Sequence, residues 1–168
     1  MKRLILLRHA NAEARAASGE DFDRALSERG RRDAAAIGRT LAAAGLMPSL
    51  ALVSAAQRTK ETWTLASPFL PDARIEHRRC LYNADAAALF NAADAEIHAH
   101  TVIVIAHNPG VGALAYDLCV RATLAPAEIA LTLSRGFPTS AAAAFEFAPD
   151  RLACLGLFLP PHADCEEA

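Results

Sequence analysis

No stretch of this 168-residue chain is apolar over the roughly 18 residues that a membrane span needs; Leu4–Leu7 and Val102–Ala106 are strand-length runs. Neither sign of charge dominates. The 17 Lys and Arg face 19 Asp and Glu, a formal charge of −2, which speaks against a nucleic-acid partner. A cleavable leader is not expected either, because Met1-Lys2-Arg3-Leu4 runs straight into a strand pattern with no small-residue cleavage site. These readings predict a cytoplasmic protein. Cysteine is sparse: Cys80, Cys119, Cys154 and Cys165 share no short paired spacing, and a cytoplasmic chain keeps them reduced. Cys119 in an apolar helical stretch and Cys154 in an apolar strand read as core filler. What the chain has in abundance is alanine, its commonest residue, which lifts the apolar fraction to 53% while burying little area. The composition is that of a helix-rich globular protein. The length predicts one domain over residues 1–159 with a frayed tail over 160–168, and a core large enough to need neither metal nor disulfide.

Along the chain, strands alternate with helices. Arg3–Leu7 is a continuous apolar run, the pattern of a strand buried on both faces. Asn11–Arg24 is polar and aperiodic, a loop with a helical turn. Ser27 precedes an alanine-rich helix to Ala44, in which Ala34, Ile37 and Leu41 recur at helical spacing and Gly45 takes the left-handed stop position. Leu50–Val53 is a second buried strand, and Ser54 caps a helix through Ala66. Arg74–His77 is a short strand, and Ala84–Ala99 reads as a helix with Leu89 and Ile97 on its apolar face. Thr101–Ala106 is the most apolar strand; His107-Asn108-Pro109-Gly110 leads into a helix ending near Arg121. Ala127–Leu133 fits a short helix. Ala141–Phe147 and Leu152–Leu159 form a closing hairpin around Pro149-Asp150. The expected fold is α/β in three layers, a mainly parallel sheet with helices on both faces.

In such sheets ligands sit at the carboxyl ends of strands. Three of those ends carry a cation or a histidine: Arg8-His9 after the first strand, Arg58 one turn into the helix after the second, and His107 after the fourth. Convergence of the three makes an anion site with guanidinium forks beside helix N-termini. Two arginines around two histidines point to phosphoryl chemistry, because neighbouring guanidiniums keep an imidazole neutral and nucleophilic and stabilise charge on phosphoryl oxygens. His77, His98, His100 and His162 lie outside these loops and read as solvated surface.

The same residues resemble a known family. Leu7-Arg8-His9-Ala10 is similar to the Arg-His-Gly signature loop of the histidine phosphatase superfamily, with its phosphoglycerate mutase-like fold. Ser54 to Thr62 resembles that family's Ser-x-x-x-Arg-x-x-x-Thr segment, Val104–Gly110 its second histidine loop, and Leu26–Gly30 its Leu-(Ser/Thr)-x-x-Gly helix start. Leu81–Ala84 and Phe137–Ala141 resemble the short SixA-type phosphohistidine phosphatases. The resemblance implies that His9 becomes transiently phosphorylated, that Arg8, Arg58 and His107, joined by Asn108, hold the phosphoryl group, and that water hydrolyses the intermediate. It implies no metal and no cofactor. The implied partner is a phosphorylated protein, such as a histidine phosphotransfer domain or a phosphocarrier; no nucleic acid or membrane is involved.

Two departures sharpen the expectation. Larger family members place an acidic residue after the third strand to protonate an alkoxide, but here that stretch is Arg79-Cys80-Leu81-Tyr82-Asn83. Asp85 and Glu13 are the carboxylates left as candidate acids. A phosphoramidate needs such an acid less than a phosphomonoester does, because an imidazole with a protonated ring leaves readily. The connection from third to fourth strand is also short, leaving little chain for a lid. Hydrolysis of phosphohistidine on a protein is therefore the expected activity. The alternatives are a small-molecule phosphomonoesterase of the same superfamily and a non-catalytic phosphate-binding module.

Overall fold

The computed structural model describes residues 1–159; the expected tail, with His162 and Cys165, lies outside the described residues. The elements in chain order are β1 (Arg3–Arg8), α1 (Glu28–Ala43), β2 (Leu50–Ser54), α2 (Gln57–Ala66), β3 (Arg74–Arg78), α3 (Ala86–Asp94), β4 (Thr101–Ala106), α4 (Gly110–Arg121), α5 (Ala127–Arg135), β5 (Ala142–Ala148) and β6 (Arg151–Phe158). The strands form one sheet in the order β3-β2-β4-β1-β5-β6. The first four are parallel, and the hairpin β5-β6 extends the sheet antiparallel to β1. This is the expected mainly parallel α/β architecture. Among the described residues, no helix is long and apolar enough to cross a membrane.

The continuous apolar strands follow from having two covered faces. On β1, Leu4 and Leu6 pack with α3, α4 and α5 through Leu89, Leu114 and Leu133. Ile5 and Leu7 face the other way, onto Ile37 and Leu41 of α1 and Trp63 of α2. Leu4, Ile5, Leu6 and Leu7 are each fully shielded, worth about 1.5–3 kcal/mol against exposure. α1 begins where expected, with Ser27 Oγ accepting from the Gly30 N–H, and it is followed by Gly45 at φ 69°. Cys119 and Cys154 are buried and Cys80 is exposed; His77, His98 and His100 are exposed.

Two expectations are corrected. α3 occupies only Ala86–Asp94 rather than Ala84–Ala99, because the Asp85 carboxylate accepts from the Ala88 N–H and fixes the start. The chain then turns back toward β4, leaving Ile97 exposed at 74%, with His98 and His100 beyond the helix. Ser54 does not cap α2. It ends β2, and the N-cap position falls to Ala56, which makes no side-chain cap.

Candidate active site

β2, β4 and β1 are neighbours, so the three strand ends singled out by the sequence lie side by side. Arg8 pairs with Ala106 and Val53 with Ile105, which places their carboxyl ends at one level of the sheet. His9 follows β1 and His107 follows β4; their rings are tilted with centroids 5.1 Å apart. Arg58 enters from the first turn of α2 and is buried. The structure thus brings Arg8, His9, Arg58, His107 and Asn108 together.

His9 Nδ1 lies 2.8 Å from the Ala10 carbonyl oxygen. That oxygen can only accept, so Nδ1 carries the proton and Nε2 presents its lone pair. Nε2 in turn accepts from Arg58 Nε at 3.3 Å. Burial first, then the charges of Arg58, Arg8 and Arg24, push His9 down to about 4 against the pull of the Ala10 bond. Burial likewise pushes His107 down to about 3, helped by His9 and Arg58. Both rings are neutral at pH 7. His107 Nε2 sits 2.8 Å from Ser54 Oγ, which is the use the fold makes of that serine. Arg8 donates from Nη1 to the Phe137 carbonyl at 2.8 Å, and Asn108 Nδ2 donates to the same oxygen at 2.9 Å. The Ser140 N–H donates to the His9 carbonyl.

The four-residue spacing of Ser54, Arg58 and Thr62 now has a physical meaning. Arg58 and Thr62 stand one above the other on the same face of α2. Thr62 Oγ1 accepts from the Ala10 N–H at 3.0 Å and donates to the Arg58 carbonyl at 2.7 Å. One hydroxyl thereby ties the His9 loop to the helix that carries Arg58.

Among the described residues, no hydrogen bond joins Asp85 or Glu13 to His9, Arg58 or His107. The Asp85 carboxylate is committed to capping α3. Glu13 is exposed on the loop after β1, and its backbone pairs with Ala25 and Arg24. The carboxylate at the site is one that the sequence reading passed over. Asp21, on a short 3₁₀ turn in the same loop, accepts from Arg58 Nη2 at 3.0 Å and from the Tyr82 hydroxyl at 2.7 Å. Its backbone carbonyl accepts from Arg58 Nη1 at 2.7 Å. The Tyr82 hydrogen bond, with help from Arg24 and Arg58, holds it ionised, at about 2. Tyr82 also sets its ring edge-on to His107 at 5.3 Å. The available signal was that Asp21 sits in a loop leaving the carboxyl end of a central strand.

Two neutral imidazoles between two guanidiniums, at the ends of adjacent parallel strands, define an α/β protein able to hold an oxyanion against a nucleophilic nitrogen. Residues 4–102 match the model of the histidine phosphatase superfamily (branch 1), and the chain belongs to that superfamily. It is similar to the structure of a candidate phosphohistidine phosphatase SixA from Agrobacterium tumefaciens, at 28% identity and a TM-score of 0.82, covering 95% of this chain and 98% of that one. A second such SixA structure, from Nakamurella multipartitia, has 26% identity and a TM-score of 0.77, with 95% and 96% covered. An uncharacterized chloroplastic protein of Arabidopsis thaliana is 48% identical over 61 residues, which span 36% of this chain and 28% of that protein.

Proposed function

We propose that the protein is a phosphatase that hydrolyses phosphohistidine on another protein through a phospho-His9 intermediate. The observation that carries this reading is the state of His9: a neutral ring, its Nδ1–H fixed on the Ala10 carbonyl, its Nε2 lone pair directed at the Arg58 fork. In the first step Nε2 attacks phosphorus and the substrate's N–P bond breaks, its electron pair leaving on an imidazole whose other nitrogen is protonated. Arg8, Arg58, His107 and Asn108 take up the phosphoryl oxygens and the charge that spreads over them. Water then attacks the phosphorus of phospho-His9. The P–N bond breaks, inorganic phosphate leaves, and neutral His9 is restored.

The phosphoramidate is favoured over an alkyl phosphate by the carboxylates. Asp21, the carboxylate on Arg58, is held ionised by the Tyr82 hydrogen bond and has no proton to give an alkoxide, while Asp85 is engaged as the cap of α3. A protein-borne substrate is favoured by the short connection from β3 to β4, which holds one 3₁₀ turn (Arg79–Leu81), α3 and two short linking segments. Brief incubation with labelled phosphoramidate, followed by alkaline quench, should place acid-labile, base-stable label on His9, and His9→Ala should abolish both label and turnover. Turnover by His9→Ala at the wild-type rate would refute the intermediate. Faster turnover of alkyl phosphates than of a phosphohistidine peptide would refute the substrate class.

A further inference from the structure

The Nε–H and Nη2–H of an arginine point along one edge of the guanidinium, the edge that meets carboxylates and phosphates bidentately. In Arg58 that edge is shared by two acceptors: His9 Nε2 on Nε at 3.3 Å and Asp21 Oδ2 on Nη2 at 3.0 Å. A phosphoryl group bonded to His9 Nε2 has to bring its oxygens to the same edge. The carboxylate of Asp21 therefore stands at the position of a phosphoryl oxygen.

Asp21 is held there by more than Arg58. Its Oδ2 also accepts from the Tyr82 hydroxyl, and its Oδ1 accepts from Arg24 Nη1 at 2.8 Å. The turn that carries it is braced by Phe22, whose ring meets Tyr82 edge-on at 5.0 Å and lies under the Arg79 guanidinium at 5.0 Å. These restraints hold a half-exposed carboxylate on the Nη2–H of that edge.

We propose that Asp21 is a specificity-determining residue. Its carboxylate competes with oxyanions for the Nη2–H on the Nε–Nη2 edge of Arg58. The site thus disfavours free inorganic phosphate, the reaction product, and accepts a phosphoryl group when contacts to the rest of the substrate offset displacement of that carboxylate. The inference rests on the phosphoryl site proposed above. It gives that site discrimination between a phosphoryl group carried on a protein and one free in solution, using binding energy remote from the reacting atoms.

The test is titration of the full chain with inorganic phosphate, followed by calorimetry and by the phosphate-induced rise in melting temperature. Asp21→Asn and Asp21→Ala should bind phosphate about tenfold or more tightly than wild type, the order expected from removing a like charge in a partly screened site. Tyr82→Phe keeps the ring against His107 but removes one of the carboxylate's three restraints, and should give a smaller gain in the same direction. Asp23→Asn, whose carboxylate accepts from Ser18 on the far side of the turn, should match wild type. A merely structural Asp21 does not predict a gain of affinity. Unchanged or weaker phosphate binding in both Asp21 variants, with binding lost in Arg58→Ala, would overturn the role of Asp21 and leave the phosphoryl site standing. Failure of every variant to bind phosphate at millimolar concentration would overturn the site itself.

Discussion

Two buried neutral histidines make the stability of this protein depend on mild acid. In the unfolded chain each imidazole titrates near 6.5, whereas the fold pushes His9 to about 4 and His107 to about 3, chiefly by burial. A folded pKa below the unfolded one contributes stability that is present above 6.5 and is lost as pH falls toward the folded value. Between pH 7 and pH 5 the unfolded rings gain protons while the folded rings stay neutral. At 1.36 kcal/mol per pH unit over roughly 1.5 units, each ring loses about 2 kcal/mol, and the pair about 4 kcal/mol. That is a large share of the roughly 5–15 kcal/mol that holds a typical domain. Urea unfolding at the two pH values measures it directly. The double variant His9→Gln, His107→Gln should lose most of this pH dependence, and either single variant about half. An unchanged dependence in the double variant would refute the idea that burial holds these rings neutral, and with it the case for a nucleophilic His9. The Asp21 carboxylate, held at about 2, titrates well below this window.

Thr62→Val keeps the shape of the side chain but leaves the buried Ala10 N–H without its acceptor, which should cost about 1–3 kcal/mol. Turnover should fall as well, because Ala10 also fixes the His9 tautomer; a melting temperature and turnover both at wild-type level would contradict the assigned tie. Gly110→Ala brings a Cβ into backbone at the Ala84 carbonyl oxygen, which forces the start of α4, and the His107 loop with it, away from the turn before α3. Overpacking of this kind costs about 1–3 kcal/mol or more, and a melt indistinguishable from wild type would show that the close approach is not required.

The fold was legible because its evidence is local and redundant. Apolar runs at Leu4–Leu7, Leu50–Val53 and Val102–Ala106 state that both faces of the sheet are covered, and the strand-end rule then gathers His9, Arg58 and His107. The errors arise where local rules compete with tertiary use. A serine before a helix reads as a cap, but Ser54 is spent on His107. Alanine obscured the limits of α3, since exposed Ala87 and Ala88 look like buried Ala93 in sequence. Asp21 was hidden for a different reason. Its partners, Arg58 and Tyr82, come from α2 and from the turn after β3, and nothing in the aperiodic stretch Asn11–Arg24 announces that these meet.

The position of β4 between β1 and β2 has a consequence for the growing chain. The strands that end at Arg8 and at Ser54 are consecutive in sequence, yet they do not pair with each other; both wait for a strand made some fifty residues after the second of them. The Phe137 carbonyl that fixes Arg8 comes later still. During synthesis His9 therefore emerges well before β4 and the Phe137 segment, so an unfinished chain carries it without His107 and without the carbonyl that fixes Arg8. The two histidines meet only once β4 has been added between β1 and β2, so the strand order defers assembly of the site.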